Sequence, residues 1–168
     1  MRRPFLALAA FLPVVGSAQQ PLSAANWQNH PAVRAIRAIA QRVDAAVREG
    51  KFTVQTDSKA CNDGAVTVTA HLYTDSVGRA RKYVVAYGSG DSYSESRYYY
   101  DTNGRLRFSF ETLRAVNGTE QETRQYFDSA GGQLYKDARL LKGPGYGGSE
   151  SVVTDPAADF RALCGPSH

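Results

Sequence analysis

Three four-residue segments decide the fold of this chain: Asp75-Ser76-Val77-Gly78, Asp101-Thr102-Asn103-Gly104 and Asp128-Ser129-Ala130-Gly131. They recur about 26 residues apart, and an aromatic residue stands one or two positions before each of them. An aspartate that opens a type I turn can accept a hydrogen bond from the main chain two residues on. A glycine at the fourth position supplies the positive φ with which the chain enters the next strand. The recurrence therefore predicts repeated β-hairpins.

The residues between these turns predict six strands that form an antiparallel meander. The opposite ends of the strands are joined by Gly88-Ser89-Gly90-Asp91 and by Asn117-Gly118, which is a strong hairpin signal. A short strand at 52–55 precedes them, followed by a polar, turn-rich stretch at 56–64. The six predicted strands are 65–74, 79–87, 92–100, 105–115, 119–127 and 133–141.

Alternation along these strands predicts one apolar side that holds a helix and one solvated side. In the first repeat strand Val68, Ala70 and Leu72 share one side, opposite His71 and Tyr73. In the strand at 105–115 the alternation places Leu106, Phe108 and Phe110 together on one side. Tyr98, Tyr100 and Phe127 are the main buried candidates of the more polar strands.

A helix is predicted from Pro31 to about residue 48, capped by Asn29 or His30 and stopped by Glu49-Gly50. Its apolar stripe indicates packing on the sheet; a membrane-surface or partner-binding helix is the alternative. After a Gly-rich loop at 143–149 and a possible strand at 150–154, Asp155-Pro156 opens a second short helix. The stripe consists of Val33, Ile36, Ile39, Ala40, Val43 and Val47.

The first eighteen residues are predicted to be an export signal. A basic start, Met1-Arg2-Arg3, is followed by the apolar run 5–15 and by the small residues Gly16-Ser17-Ala18. A membrane anchor is the alternative, although the run is too short to span a bilayer. Cleavage would leave a polar lead-in at 19–30 and a single α+β domain at 31–168, in the periplasm or outside the cell. It would also lower the formal net charge of +4 by two, which leaves no concentrated basic footprint for nucleic acid.

The two cysteines are expected to pair, because export would expose Cys61 and Cys164 to oxidising conditions. Such a bridge would close a very long loop and stabilise the fold by roughly 4 to 5 kcal/mol in the chain-entropy model. A pair of free thiols is the alternative. Neither a CxxC spacing nor a Cys/His cluster points to redox chemistry or to a metal site.

No catalytic residues, cofactor or metal site are predicted. His71 could in principle serve as an acid or base in a small secreted hydrolase, but a solvated strand histidine is the commoner case. The Gly-rich loop lacks the strand-loop-helix setting of a phosphate cradle. The three turn aspartates are separated by strand spacings instead of clustering as calcium ligands do.

The solvated side of the sheet is the functional lead of the sequence, because tyrosine and arginine are enriched at binding hot spots. Exposed sheets also carry these residues simply because pleated surfaces tolerate them. The pattern favours a non-enzymatic binding module whose partner is an envelope protein or a cell-wall component. The alternative is a carrier of a small apolar ligand held between helix and sheet. The candidate binding residues are Tyr73, Tyr83, Tyr87, Arg97, Tyr99, Arg105, Arg107, Arg124 and Tyr126, with Arg81 beside them.

The segment Tyr100-Asp101-Thr102-Asn103-Gly104-Arg105-Leu106 resembles the YD repeat of Rhs-type secreted and wall-associated bacterial proteins. The segments at 73–79 and 127–134 look like degenerate copies, so the resemblance covers about 70 of the 168 residues. It implies a β-hairpin scaffold at the cell surface or in the periplasm, and it implies no catalytic residues.

Overall fold

A computed structural model describes residues 20–147 and 152–165 of the chain. One antiparallel sheet carries a long helix near its start and a short helix near its end, as the α+β prediction required. Each strand pairs with its neighbours in sequence, in the order β1 to β7. The elements are α1 (Pro31–Arg48), β1 (Thr53–Cys61), β2 (Val66–Thr74), β3 (Ala80–Ser89), β4 (Ser92–Tyr100), β5 (Leu106–Ala115), β6 (Glu120–Phe127), β7 (Gln133–Lys142) and α2 (Pro156–Arg161).

The six repeat strands begin and end within two residues of their predicted bounds, but the first strand was predicted too short. β1 continues through the polar stretch to Cys61 because it pairs with β2 along its whole length. Hydroxyls bridge the two strands, as the 3.0 Å contact between Ser58 Oγ and Thr69 Oγ1 illustrates. Pairing with a formed neighbour thus outweighs weak local strand propensity.

The three Asp-x-x-Gly turns have the same hydrogen bonds, which confirms the turn chemistry. In the second turn, Oδ1 of Asp101 accepts from the amides of Asn103 at 2.8 Å and Arg105 at 3.1 Å. The amide of Gly104, whose φ is +76°, donates to the Asp101 carbonyl. Asp75 and Asp128 accept the equivalent bonds. In the third turn the amides of Gly132 and Ala130 lower the pKa of the Asp128 carboxyl.

α1 lies on the sheet, as predicted, and we call the side it occupies the helix side. The Nδ1 atom of His30 caps the helix by accepting from the Ala32 amide, and Pro31 is its first residue. The buried residues of α1 pack on aromatic rings of β4, β5 and β6. The helix residues in this contact are Val33, Ile36, Ala40 and Val43, and the rings belong to Tyr99, Phe108 and Tyr126.

The sheet side that holds α1 is not the one that the alternation predicted. Val68, Ala70 and Leu72 point to the opposite side, which we call the tail side because α2 and the C-terminal segment cover it. Leu163 and Phe160 of that segment pack against these strands. Both sides therefore carry part of the core, and neither is simply solvated.

β-Bulges explain why the alternation failed in β5. Tyr99 of β4 faces Phe108, whereas the next residue, Tyr100, faces Leu106, so Arg107 is the extra residue of a bulge in β5. As a result Leu106 joins the core on the tail side, whereas Phe108 packs under α1 on the other side. A single bulge residue reverses the side that the rest of a strand presents.

Cys61 and Cys164 form the predicted disulfide, with their Cα atoms 5.4 Å apart. The bridge joins the end of β1 to the C-terminal segment, 103 residues later in the chain. Tyr83 adds a second tie, because its hydroxyl donates to Asp159 of α2 at 2.7 Å.

Some predictions concern residues outside the described ranges. The export signal at 1–18 lies outside them completely. The Gly-rich loop at 143–149 and the possible strand at 150–154 lie outside them in part; residues 152–154 are not in a strand. Among the described helices, none combines the length and the apolar character that a membrane crossing requires.

Candidate interaction surface

The nine candidate binding residues do not form one exposed surface. Tyr83, Tyr99 and Tyr126 are core residues with 0%, 5% and 1% of their surface exposed. Tyr83 and Tyr87 point to the tail side, whereas Tyr99 and Tyr126 point to the helix side. The prediction of a solvated Tyr/Arg face is wrong for Tyr83, Tyr99 and Tyr126, because α1 and α2 each cover part of the sheet, whereas Tyr87 is 40% exposed.

The buried tyrosine hydroxyls serve structural hydrogen bonds. Tyr99 donates to Asp44 of α1 at 3.2 Å, and Tyr126 accepts from Arg37 at 3.3 Å. Burial, followed by the nearby Asp44 carboxylate, raises the pKa of Tyr99, and burial with Asp159 raises that of Tyr83. The hydroxyls of Tyr83, Tyr99 and Tyr126 therefore help to hold the two helices on the sheet.

Arg105 and Arg107 connect consecutive turns, as do their counterparts Arg79 and Arg81 in the first turn. Arg79 donates to the carbonyl of Thr102 in the second turn at 3.0 Å. Arg105 donates in the same way to Ser129 in the third. In the third turn, Gly132 and Leu134 occupy the positions of these arginines. That turn precedes β7, and among the described residues no later hairpin lies beside it.

The part of the helix side that α1 leaves uncovered carries three matching ion pairs, which we call the charged face. Each pair joins a carboxylate to an arginine two residues later on the same strand. The shortest nitrogen–oxygen distances are 2.6 Å on β4, 2.7 Å on β6 and 2.8 Å on β7. The pairs are Glu95 with Arg97, Glu122 with Arg124, and Asp137 with Arg139.

Phe110 of β5 lies at the centre of the charged face. In the strand register it stands directly between Arg97 and Arg124. Both guanidinium groups lie over its ring, 5.8 Å and 4.7 Å from the ring centre. The geometry is that of cation–π contacts, and it orients the two arginines side by side.

Of the nine candidates, the charged face retains Arg97 and Arg124. Sequence reasoning missed their carboxylate partners and Phe110. The missed signal is an acidic residue two positions before an arginine, repeated as Glu95-Ser96-Arg97, Glu122-Thr123-Arg124 and Asp137-Ala138-Arg139. Spacing by two puts both charges on one side of a strand.

Two cavities lie elsewhere on the molecule. The larger, about 550 Å³, lies beside the second and third turns and is lined by Arg105, Leu106, Phe127 and Val152, among others. The smaller, about 170 Å³, lies on the tail side under Tyr146, whose hydroxyl donates to Asp91 at 2.9 Å. The interface between α1 and the sheet, where the alternative carrier function would place its ligand, is filled by the packed rings and helix side chains described above.

The remaining polar candidates have ordinary structural roles. His71 lies 2.9 Å from the hydroxyl of Thr56 across β1 and β2. Within 20–147 and 152–165, no three His, Cys, Asp or Glu side chains cluster in a way that could hold a metal ion.

No protein-family model, no curated protein and no solved structure matches this chain.

Proposed function

We propose that this chain is an exported, non-enzymatic binding module of the cell envelope, whose partner is an envelope protein or a cell-wall component. The charged face is the observation that supports this proposal. It presents three guanidinium groups and three carboxylates on three strands, with Phe110 between two of the arginines, on a sheet against which α1 packs.

The chemistry of this surface suits recognition of a mixed-charge partner. Arginine and aromatic side chains dominate binding hot spots, and arginines already held in place lose less freedom on binding. Arg97 and Arg139 remain 42% and 44% exposed, so their outer donors stay accessible. The three pairs carry no net charge, which favours a specific partner over a polyanion.

The YD-repeat resemblance adds a second line of support. The three turns have the same hydrogen bonds, as copies of one hairpin unit would. Together with the signal-like start of the sequence, this supports a scaffold that displays a surface outside the cytoplasm.

Partner capture from the native host tests the proposal. The oxidised protein would be purified and its complexes weighed by native mass spectrometry, for the wild type and for an Arg97→Ala/Arg124→Ala variant. We expect a partner adduct with the wild type and its loss in the variant. An Arg34→Ala/Arg48→Ala variant, changed at two exposed arginines of α1, serves as the matched control and should keep the adduct. Equal adducts in all three proteins would contradict the proposal.

A second candidate function, a carrier of a small ligand, is favoured by the 550 Å³ cavity. Its volume falls within the range of ligand sites, and Leu106 and Phe127 give it an apolar wall. The same mass measurement would detect a retained small molecule. Ala130→Phe, in the cavity wall, should remove that mass, whereas Val77→Phe at the equivalent position of the first turn should not. A bare wild-type protein would contradict this function.

A further inference from the structure

β7 is an edge strand with an unusual amount of exposed apolar surface. It pairs with β6 on one side, and within the described ranges no strand pairs with its other side. Leu134, Leu140 and Leu141 are 38%, 52% and 53% exposed. Ten residues in extended conformation span about 33 Å of main chain, along which an antiparallel partner strand could pair.

The opposite edge of the sheet is less suited to pairing. β1 has Val54 as its large exposed apolar residue, and its remaining exposed positions are mostly polar. The two edges therefore differ in the apolar area that a partner strand could bury.

The charges of β7 complement those of a second β7. In an antiparallel pair related by a two-fold axis, facing residues lie on the same side of the sheet. An axis through Ala138 places Asp137 of each copy opposite Arg139 of the other. The adjacent allowed registers are centred on Asp137 or on Arg139, and each puts two like charges face to face.

We propose that two copies of this chain pair through β7, antiparallel and centred on Ala138, to form one continuous sheet across the dimer. Two ion pairs form across the axis, between Asp137 and Arg139 of opposite copies. The aliphatic part of Lys136 faces Leu140, which covers part of the exposed leucine surface. The contact is isologous, so it closes after two copies and does not continue into a filament.

The dimer goes beyond the proposed binding function, and it sets the geometry of the charged face. Because the axis is perpendicular to the sheet, both copies present their helix side in the same direction. The ion pair of Asp137 with Arg139 lies at the edge of each charged face, so the two faces meet at the dimer axis.

Sedimentation equilibrium of the full, oxidised protein tests this inference. We expect reversible dimers with the wild type. Asp137→Arg should weaken dimerisation at least about tenfold, since it replaces two opposite-charge contacts by two repulsive ones. The double variant Asp137→Arg/Arg139→Asp exchanges the charges and should restore the dimer.

Two further variants separate pairing from folding and from the other edge. Leu140→Lys leaves the Asp137 ion pairs intact, removes apolar surface and places a lysine opposite Lys136 of the other copy, so it should also weaken the dimer. Far-ultraviolet circular dichroism checks that the fold is kept. Asp57→Arg changes the equivalent charge on β1 and should leave the dimer unaffected. A wild type that stays monomeric up to its solubility limit, or a dimer weakened by Asp57→Arg and not by Asp137→Arg, would overturn the inference. Partner capture does not enter this readout, so its outcome is independent of the proposed function.

Discussion

The Nε atom of Arg107 donates a hydrogen bond to the main-chain carbonyl of Phe127 at 3.1 Å. Its guanidinium also lies 3.4 Å from the second carboxylate oxygen of Asp101, whose first oxygen caps the turn. One side chain thus connects the capped aspartate of the second turn with the strand that enters the third. Arg81 makes the same connection from the first turn to the carbonyl of Tyr100.

Removing this connection should destabilise the sheet. We expect Arg107→Ala to lower the free energy of unfolding by about 1 to 3 kcal/mol, because a partly buried charged donor is lost and its acceptors on Phe127 and Asp101 are left without it. Arg114→Ala, on an exposed residue of the same strand, should change it by less than about 0.5 kcal/mol. Urea unfolding followed by circular dichroism measures both. Equal effects of the two variants would mean that the connection contributes nothing to stability.

The aspartate of the second turn should be replaceable by asparagine but not by alanine. Asp101→Ala removes the acceptor for two amides and should cost about 1 to 2 kcal/mol of unfolding free energy, as the loss of a helix cap does. Asp101→Asn keeps an oxygen in the same place and should cost clearly less. Chemical unfolding of the three proteins side by side decides this. If asparagine proved as costly as alanine, the ion pair with Arg107 would outweigh the turn bonds.

Loss of the disulfide should lower thermal stability markedly. Cys61→Ser/Cys164→Ser removes a loop closure that is worth roughly 4 to 5 kcal/mol in the chain-entropy model. Calorimetry of the oxidised wild type, the reduced wild type and the double variant gives the comparison. The two proteins without the bridge should melt together and well below the oxidised protein. An unchanged melting temperature would show that the bridge contributes no stability.

The buried tyrosines predict alkaline unfolding. Burial raises the pKa of Tyr83, Tyr99 and Tyr100 in the folded chain, whereas in the unfolded chain each titrates near pH 10. Their contribution to the free energy of unfolding is complete below about pH 10. It is lost as the pH rises further, because the unfolded chain then releases protons that the folded chain retains. Each tyrosine should lower the unfolding free energy by about 1.4 kcal/mol per pH unit in that range.

Urea unfolding at successive pH values above 9, together with tyrosinate absorbance, measures this slope. Tyr83→Phe should make it shallower, because it removes a hydroxyl whose pKa burial raises. A free energy of unfolding that stays constant through this range would contradict the burial of these hydroxyls.

The turns made the sheet predictable, because each Asp-x-x-Gly segment fixes its own geometry through local hydrogen bonds. The strand that was predicted too short, β1, owes its length to pairing with β2, which no local pattern reports. The sequence also did not predict which side of the sheet α1 covers. Bulges such as the one opposite Leu106 reverse the alternation without a clear mark in the sequence.

The predicted exposure of Tyr83, Tyr99 and Tyr126 was wrong because strand sequence does not report what packs on the sheet. The local sequence around a strand tyrosine is the same whether a helix or solvent covers its ring. Here two helices cover opposite sides of the sheet. Arg97 and Arg124 remained accessible because α1 ends its contact with the sheet one row away, at Tyr99 and Tyr126. Their acidic partners were visible in the sequence as a spacing of two, but only the strand register brings the three pairs together.

Pairing between sequence neighbours also sets the order in which this molecule can assemble. A hairpin closes in about 1 to 10 μs, and the entropy cost of closing a loop grows with its length. Pairing of the seven strands can therefore begin at any of their turns, whereas the disulfide of Cys61 requires the closure of a loop to a residue 103 positions away. We expect oxidation to be the last step of maturation, trapping the C-terminal segment on a sheet that is already complete.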